Sequence, residues 1–295
     1  MAENSKISWC HDTISFWWGC TKHGVGCLNC YAIPISLRFF GDIWGPTKPR
    51  LVIESAEDKI RSLNSKAERE GQRRRVFINS MSDFFEDFEG LIVNRKRDVV
   101  AGNLNALRHT AFRVFRDCRN LDFLLLTKRP ENIRKMHPGG FYENVHLGTS
   151  ISNQHDADKA VPELLKCRDL SPVLFLSAEP LLGVIDLGKF LWDMPNELDC
   201  YPHTDELSPE PTPRGLIDQV IIGIESNGPR VGRLGEFTDE AAWNAAADNI
   251  VSQCWAARVA AFVKQIPLGG YVEHDMAKFP RRLQYQEFPV VEAAR

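Results

Sequence analysis

The chain has no run of about 18 uninterrupted apolar residues, so no segment of it reads as a bilayer-spanning helix. Its opening, Met1-Ala2-Glu3-Asn4-Ser5-Lys6, lacks the basic start and apolar stretch of a secretory signal, and the expected location is the cytoplasm, away from any membrane. Charge of one sign is missing too. The 36 Lys+Arg against 39 Asp+Glu leave a net −3, which excludes a strongly basic, non-specific nucleic-acid binder but permits local basic patches. Internal repeats and low-complexity segments are likewise absent. What remains is a 295-residue chain with 43% hydrophobic and 25% charged residues, enough for a sizeable core. In a reducing compartment its 8 cysteines read as thiols, metal ligands or catalytic groups rather than as a disulfide framework.

Short apolar runs give the organisation. Thr13 to Trp18, Arg75 to Ile78, Phe123 to Leu126, Val145 to Leu147, Val173 to Leu176, Gln219 to Ile222 and Val259 to Val263 each end in a small or polar cluster, as buried parallel strands do. Helical spacing or caps lie between most of them, at Glu54 to Glu70, Leu91 to Ala111, Ala157 to Cys167 and Thr238 to Ala257. Alternating strands and helices mean right-handed βαβ units. The expected fold is a single α/β domain over residues 1–278, a barrel or partial barrel, with a doubly wound open sheet as the alternative. An acidic, Pro-rich insertion is expected at about 193–214 and a loose arm over 279–295.

In a parallel barrel the chemistry sits at the C-terminal ends of the strands. Those ends read Gly19-Cys20, Asn79-Ser80-Met81-Ser82-Asp83, Thr127-Lys128-Arg129-Pro130, Gly148-Thr149-Ser150, Ser177-Ala178-Glu179-Pro180, Gly223-Ile224-Glu225 and Lys264-Gln265. Turns and caps recruit Ser, Asn and Gly for their own reasons. Glu179, Glu225 and Lys264, directly after apolar runs, need a partner or ligand.

The most specific feature is Cys20-x6-Cys27-x2-Cys30, on one Gly-containing loop after the first strand. Three thiolates there can converge on a metal centre. An iron–sulfur cluster with one open iron fits three ligands; a structural zinc site would add Cys10, His11 or His23 as the fourth. Cys118, Cys167 and Cys254 lie in apolar helical segments and read as core, as do Trp17-Trp18 and Phe84-Phe85, while Cys200 falls in the insertion. Arg73-Arg74-Arg75, Arg95-Lys96-Arg97 and Lys128-Arg129 can touch phosphates, although a charge run is ordinarily a solvated face.

The cysteine loop with Tyr31 after its last Cys resembles the radical S-adenosylmethionine enzymes. The ordered set Trp18-Gly19-Cys20, Cys27-x-x-Cys30-Tyr31-Ala32, Phe77 to Asp83, Leu126 to Pro130, Leu147 to Ser150, Ser177 to Gly183 and Phe262 to Gln265 is similar to a phage and prophage family of that superfamily. Common members space the first two cysteines by three residues; the longer interval here is of the phage kind. The resemblance implies a (β/α)6-type partial barrel with Cys20, Cys27 and Cys30 binding a [4Fe-4S] cluster. Its open iron would chelate S-adenosyl-L-methionine. Tyr31, Ser80, Ser82, Asp83, Ser150 and Glu179 are then the expected cofactor-binding residues. Thr127, Lys128, Glu225 and Lys264 would face the substrate, with Lys128 or Arg129 clamping a carboxylate. The implied reaction is isomerisation of N-α-glycyl-thymidine to its Cα-linked form in phage DNA hypermodification, in the host cytoplasm, with flavodoxin or ferredoxin as electron donor. Another radical substrate (a tRNA base, a peptide or a small metabolite) and a zinc-stabilised binding protein are the competing readings.

Overall fold

The computed structural model describes residues 3–100, 102–191 and 216–290. The first half carries β1 (Asp12–Ile14), β2 (Trp17–Trp18), α1 (Ala32–Phe40), β3 (Arg50–Val52), α2 (Ala56–Glu70), β4 (Arg74–Ile78), β5 (Ile92–Val93), α3 (Leu104–Asp117), β6 (Leu121–Thr127) and α4 (Ile133–Met136). The second half carries β7 (Val145–Ser150), α5 (Gln154–Leu165), β8 (Val173–Ala178), α6 (Gly188–Leu191), β9 (Gln219–Gly223), β10 (Ser226–Asn227), β11 (Arg230–Val231), α7 (Glu240–Ala256), β12 (Ala260–Leu268) and β13 (Tyr271–Glu273). The fold is mixed α/β.

A 10-stranded sheet runs β1-β4-β6-β7-β8-β9-β12-β13-β11-β10, parallel through β12 and antiparallel beyond it. The parallel strands follow chain order without a reversal. Right-handed crossovers in an unreversed order put every helix on one face, so the sheet curls into a half-barrel; the doubly wound alternative needs a reversal that is not there. The period-2 alternation of the strands then separates two cores. Val76, Leu125, Leu147, Leu174, Ile222 and Val263 point outward, into the cluster shared with the helices. Phe77, Leu124, Phe175, Ile221 and Phe262 point inward and pack with Trp9 and Cys10. This inner cluster is the barrel floor, with the Trp9 ring 4.7 Å from Phe77 and 6.3 Å from Phe175. Room for Phe175 comes from Gly148, where a Cβ would stand 2.4 Å from its ring.

Three expectations change. The first strand ends at Ile14, and the chain leaves the sheet so that β2 joins a separate three-stranded sheet, β2-β3-β5. Residues 91–111 are not one helix. The Asn94 side chain accepts from the N–H groups of Lys96 and Asp98 to form a turn, Gly102 sits at φ 113, and α3 starts only after Asn103, whose side chain caps Ala106 N–H at 3.0 Å. The expected loose arm is tied down as far as it is described: Phe279 and Leu283 are buried, Gln286 bridges Phe262, and Phe288 lies 5.2 Å from the Phe262 ring with the Arg75 guanidinium over it. The expected insertion and Cys200 lie outside the described residues, as do residues 291–295. Among the described residues no helix is long and apolar enough to cross a membrane.

Candidate functional site

The inward parity that builds the floor continues past the strand ends. Two or four residues beyond Leu126, Gly148, Phe175 and Phe262 it arrives at Lys128, Ser150, Glu179 and Lys264. Tertiary structure joins these into two linked pairs. Lys128 Nζ donates to Ser150 Oγ, which donates to the Glu179 carbonyl at 3.1 Å; the Lys264 ammonium and the Glu179 carboxylate form an ion pair with both side chains mostly buried. Two residues expected to play different parts, Glu179 and Lys264, are therefore one unit.

The cysteine loop is fastened across this mouth. Gly24 turns it at φ 71, and Gly26 passes so close that a Cβ would lie 2.6 Å from Ser152 Oγ and 3.5 Å from Lys128 Cε. On one side Arg129 donates to Thr21 O at 2.7 Å, and Glu86 accepts from Thr21 N–H at 2.8 Å. Glu86 is itself locked by the fully buried guanidinium of Arg50. On the other side Glu225 accepts from Asn29 Nδ2 at 2.9 Å and from Arg233 N–H at 2.8 Å, while Arg233 Nη2 reaches Val25 O at 3.0 Å. Burial pulls the Glu225 carboxyl up, but the Arg233 and Asn29 hydrogen bonds outweigh it and leave it below the usual carboxylate range. Glu225, expected to face substrate, is an anchor of the loop.

None of Cys20, Cys27 and Cys30 is in a disulfide. Burial pushes the Cys20 thiol strongly up, with Glu86 and Asp83 adding to it; Arg129 Nη1, 4.0 Å from Sγ, works against them. Burial also raises Cys30, partly offset by a backbone hydrogen bond from Ala32. Among the described residues no three His, Cys, Asp or Glu side chains converge as ligands of a single metal ion. Cys10 and His11 precede β1 at the floor end, where Cys10 Sγ donates to Ile7 O and His11 Nδ1 accepts from Arg75 N–H, so neither completes a zinc site with the loop.

The other expected cofactor residues divide. The Asp83 carboxylate accepts from Thr127 Oγ1 at 2.6 Å, Lys128 N–H at 3.0 Å, Phe85 N–H at 3.0 Å and Arg129 Nη1 at 3.2 Å, which uses its acceptor capacity. Ser82 Oγ donates to Trp17 O at 2.8 Å. Both are braces between β2, β4 and β6, and Arg129 is a brace rather than a free clamp. Tyr31 Oη donates to the Ser80 carbonyl at 2.7 Å, which ties the end of the loop to the Ser80 turn. A cleft of about 550 Å³ opens beside the site, between His23–Gly26 of the loop, Lys128 and the start of α5. Arg50, Glu86, Asn29 and Arg233 were not expected. Arg50 had a signal: a charge leading the apolar run Leu51-Val52-Ile53 demands a buried acid somewhere.

A family model described as a protein of unknown function, DUF5131, matches residues 4–289. The chain belongs to that family. The DUF5131 match takes in both ends of the curled sheet, from the residues before β1 to the Phe288 contact that closes the floor. No curated protein and no solved structure matches the chain.

Proposed function

We propose that this DUF5131 protein is a radical S-adenosylmethionine enzyme that holds a [4Fe-4S] cluster on Cys20, Cys27 and Cys30. The observation that carries the reading is a loop with three free thiols, bolted by Arg129, Glu86 and Glu225 across the C-terminal end of a singly wound, curled sheet. The donor set fits such a group. Burial keeps Cys20 and Cys30 protonated on their own, and a polynuclear iron centre supplies the positive charge that removes those protons. A reduced cluster held there would give one electron to S-adenosylmethionine, releasing methionine and a 5′-deoxyadenosyl radical able to take a hydrogen atom from an otherwise inert C–H bond.

The rest is the work of the chain itself. The aromatic floor beneath Glu179 and Lys264 closes the lumen to water from below, which protects a radical from quenching. Lys264 and Glu179 present one positive and one negative group to whatever enters, and Lys128, held by Ser150, presents a second cation. That set suits a substrate bearing an amine and a carboxylate on one carbon. The favoured substrate is N-α-glycyl-thymidine in phage DNA, whose glycyl α-carbon gives a radical stabilised by both groups, with isomerisation to the Cα-linked product.

The test begins with iron and visible absorption of anaerobically purified protein beside the C20A/C27A/C30A variant, then dithionite and S-adenosylmethionine with detection of 5′-deoxyadenosine. Iron near about four per chain and cysteine-dependent 5′-deoxyadenosine are expected. Colourless protein with zinc and no cleavage would sink the proposal. Nucleoside analysis of glycyl-thymidine DNA treated with the active enzyme then tests the substrate.

A further inference from the structure

One basic run from the sequence is left unused by the site, and the fold gives it neighbours. Arg95-Lys96-Arg97 forms the tip of the turn after β5, which folds against the C-terminal end of α1: Arg95 lies over the Phe40 ring at 5.2 Å, and Arg97 bonds the Phe40 carbonyl. Phe40 packs edge-on against Trp18 at 4.8 Å, beside the edge strand of the curled sheet. Arg38 joins the group from α1, over the ring of Phe39 at 5.5 Å. Among the described residues none of Arg38, Arg95, Lys96 and Arg97 forms an ion pair, and all four are exposed. Of the nearby acids, Asp42 pairs with Lys48 at 2.6 Å, while Asp98 accepts from the neutral Asn94 Nδ2 at 3.1 Å and keeps its charge, so the run Arg95-Lys96-Arg97-Asp98 is net positive by two.

The apolar side of α1 is equally without cover. Ile35 and Phe39 recur at i and i+4, exposed at 37% and 62%, and only Ala32 and Ser36 of the helix are buried. This stripe ends at Phe39, under Arg38.

We propose that this face, with Arg38 over the exposed Phe39 ring and Arg95, Lys96 and Arg97 on the turn packed against Phe40, is the docking surface for the phosphodiester backbone of DNA, leading the strand toward the mouth. Unpaired cations release counterions when they meet phosphates, and an exposed ring among them offers a stacking platform for an unpaired base. A solvated salt-bridged face would show alternating signs instead. The choice of DNA over other polyanions rests on the function proposed above; the electrostatics do not.

Fluorescence anisotropy with a labelled 30-base-pair DNA duplex, and with a duplex RNA of the same sequence, across a sodium chloride series tests the surface without any activity. The R38E/R95E/K96E variant is expected to lose at least tenfold in DNA affinity at low salt. Its slope of log affinity against log salt should fall by about 0.9 for each phosphate contact removed. Phe39→Ala should weaken a gapped or single-stranded DNA more than the duplex, by on the order of tenfold for a lost base stack. Arg113→Glu, on the outer face of α3, should change nothing, and circular dichroism melts should show all variants folded. An unchanged salt slope in the triple variant, or tighter binding of RNA than of DNA, overturns the proposal. So does absence of DNA binding by wild type, as expected if the face instead docks an acidic protein. A protein that binds DNA here but carries no cluster would leave this surface standing and remove the radical chemistry.

Discussion

The two ends of one half-barrel use the same strands for opposite ends of physical chemistry. At the floor, Phe77, Phe175 and Phe262 close on Trp9 in an apolar cluster whose cohesion is packing. At the mouth, one or two turns of the same alternation later, the inward positions are Lys128, Ser150, Glu179 and Lys264, and cohesion is a network of charges. Not all mouth charges are alike. Glu86, Arg50, Glu225 and Arg129 have their hydrogen-bonding capacity taken up in fixing the loop and Asp83 in bracing the strands, whereas Glu179 and Lys264 hold each other and Lys128 holds Ser150. The division separates residues that position from residues that can exchange a partner for a ligand.

The largest expected effect is at the mouth. Cys20→Ala should abolish cysteine-dependent 5′-deoxyadenosine formation while a thermal melt of the iron-free protein moves by less than about 1 kcal/mol equivalent, because the thiol makes only weak bonds, to Thr21 O at 3.3 Å and from Arg129 Nη1 at 4.0 Å. Retained cleavage would break the assignment of that end to chemistry. At the floor the balance reverses. Phe175→Ala should cost about 3–5 kcal/mol in urea unfolding and leave iron content near wild type; a variant that loses iron but keeps its midpoint would show that floor and mouth are not separable.

Arg50→Met sharpens the distinction within the mouth. It strands the buried Glu86 carboxylate, and urea titration should report a loss of about 3–5 kcal/mol, as large as at the floor although the residue stands beside the loop. A loss below 1 kcal/mol would mean that the pair is not the anchor described here. Acid offers a lever of comparable size. Burial holds His137 and His146 down to about 4 from 6.5, so between those values the unfolded chain binds protons that the folded one refuses. Their contribution is whole above about pH 6.5 and is lost as the pH falls toward 4, at up to about 1.4 kcal/mol per pH unit for each histidine. Stability flat over that window would show that the histidines have partners when charged. Lys264→Met takes the partner from a mostly buried Glu179 carboxylate, and a loss of about 1–3 kcal/mol is expected, below that of Arg50→Met because 20% of the Glu179 side chain is exposed; substrate turnover should fall far more than S-adenosylmethionine cleavage.

Much of the fold was legible because buried parallel strands are written as short β-branched or Phe/Leu runs, and the seven parallel strands of the ten-stranded sheet overlap those runs, while the small parallel pair β3–β5 does not. The misreading at 91–111 had a local cause: the apolar spacing there is real, but Asn94, Gly102 and Asn103 spend it on a turn and a cap. The tail was misread because Phe279, Leu283 and Phe288 are too sparse to show a period, and only the floor gives them something to cover. Within the site, residue types were readable and roles were not. Glu225 and Glu179 look alike in sequence, each an acid after an apolar strand, yet one meets Arg233 and Asn29 and the other meets Lys264.

The sequence by itself determined the strand series, the inward parity that carries Phe175 to Glu179 and Phe262 to Lys264, and the three thiols on one glycine-containing loop, because each is a local pattern of spacing. Tertiary structure alone decided that the sheet curls without a reversal, that Asn29 is held by Glu225 across 196 residues, and that Asp83 braces rather than binds. Those are partnerships between distant segments. A charge leaving water must find its counter-charge in space, and chain order does not say where that will be.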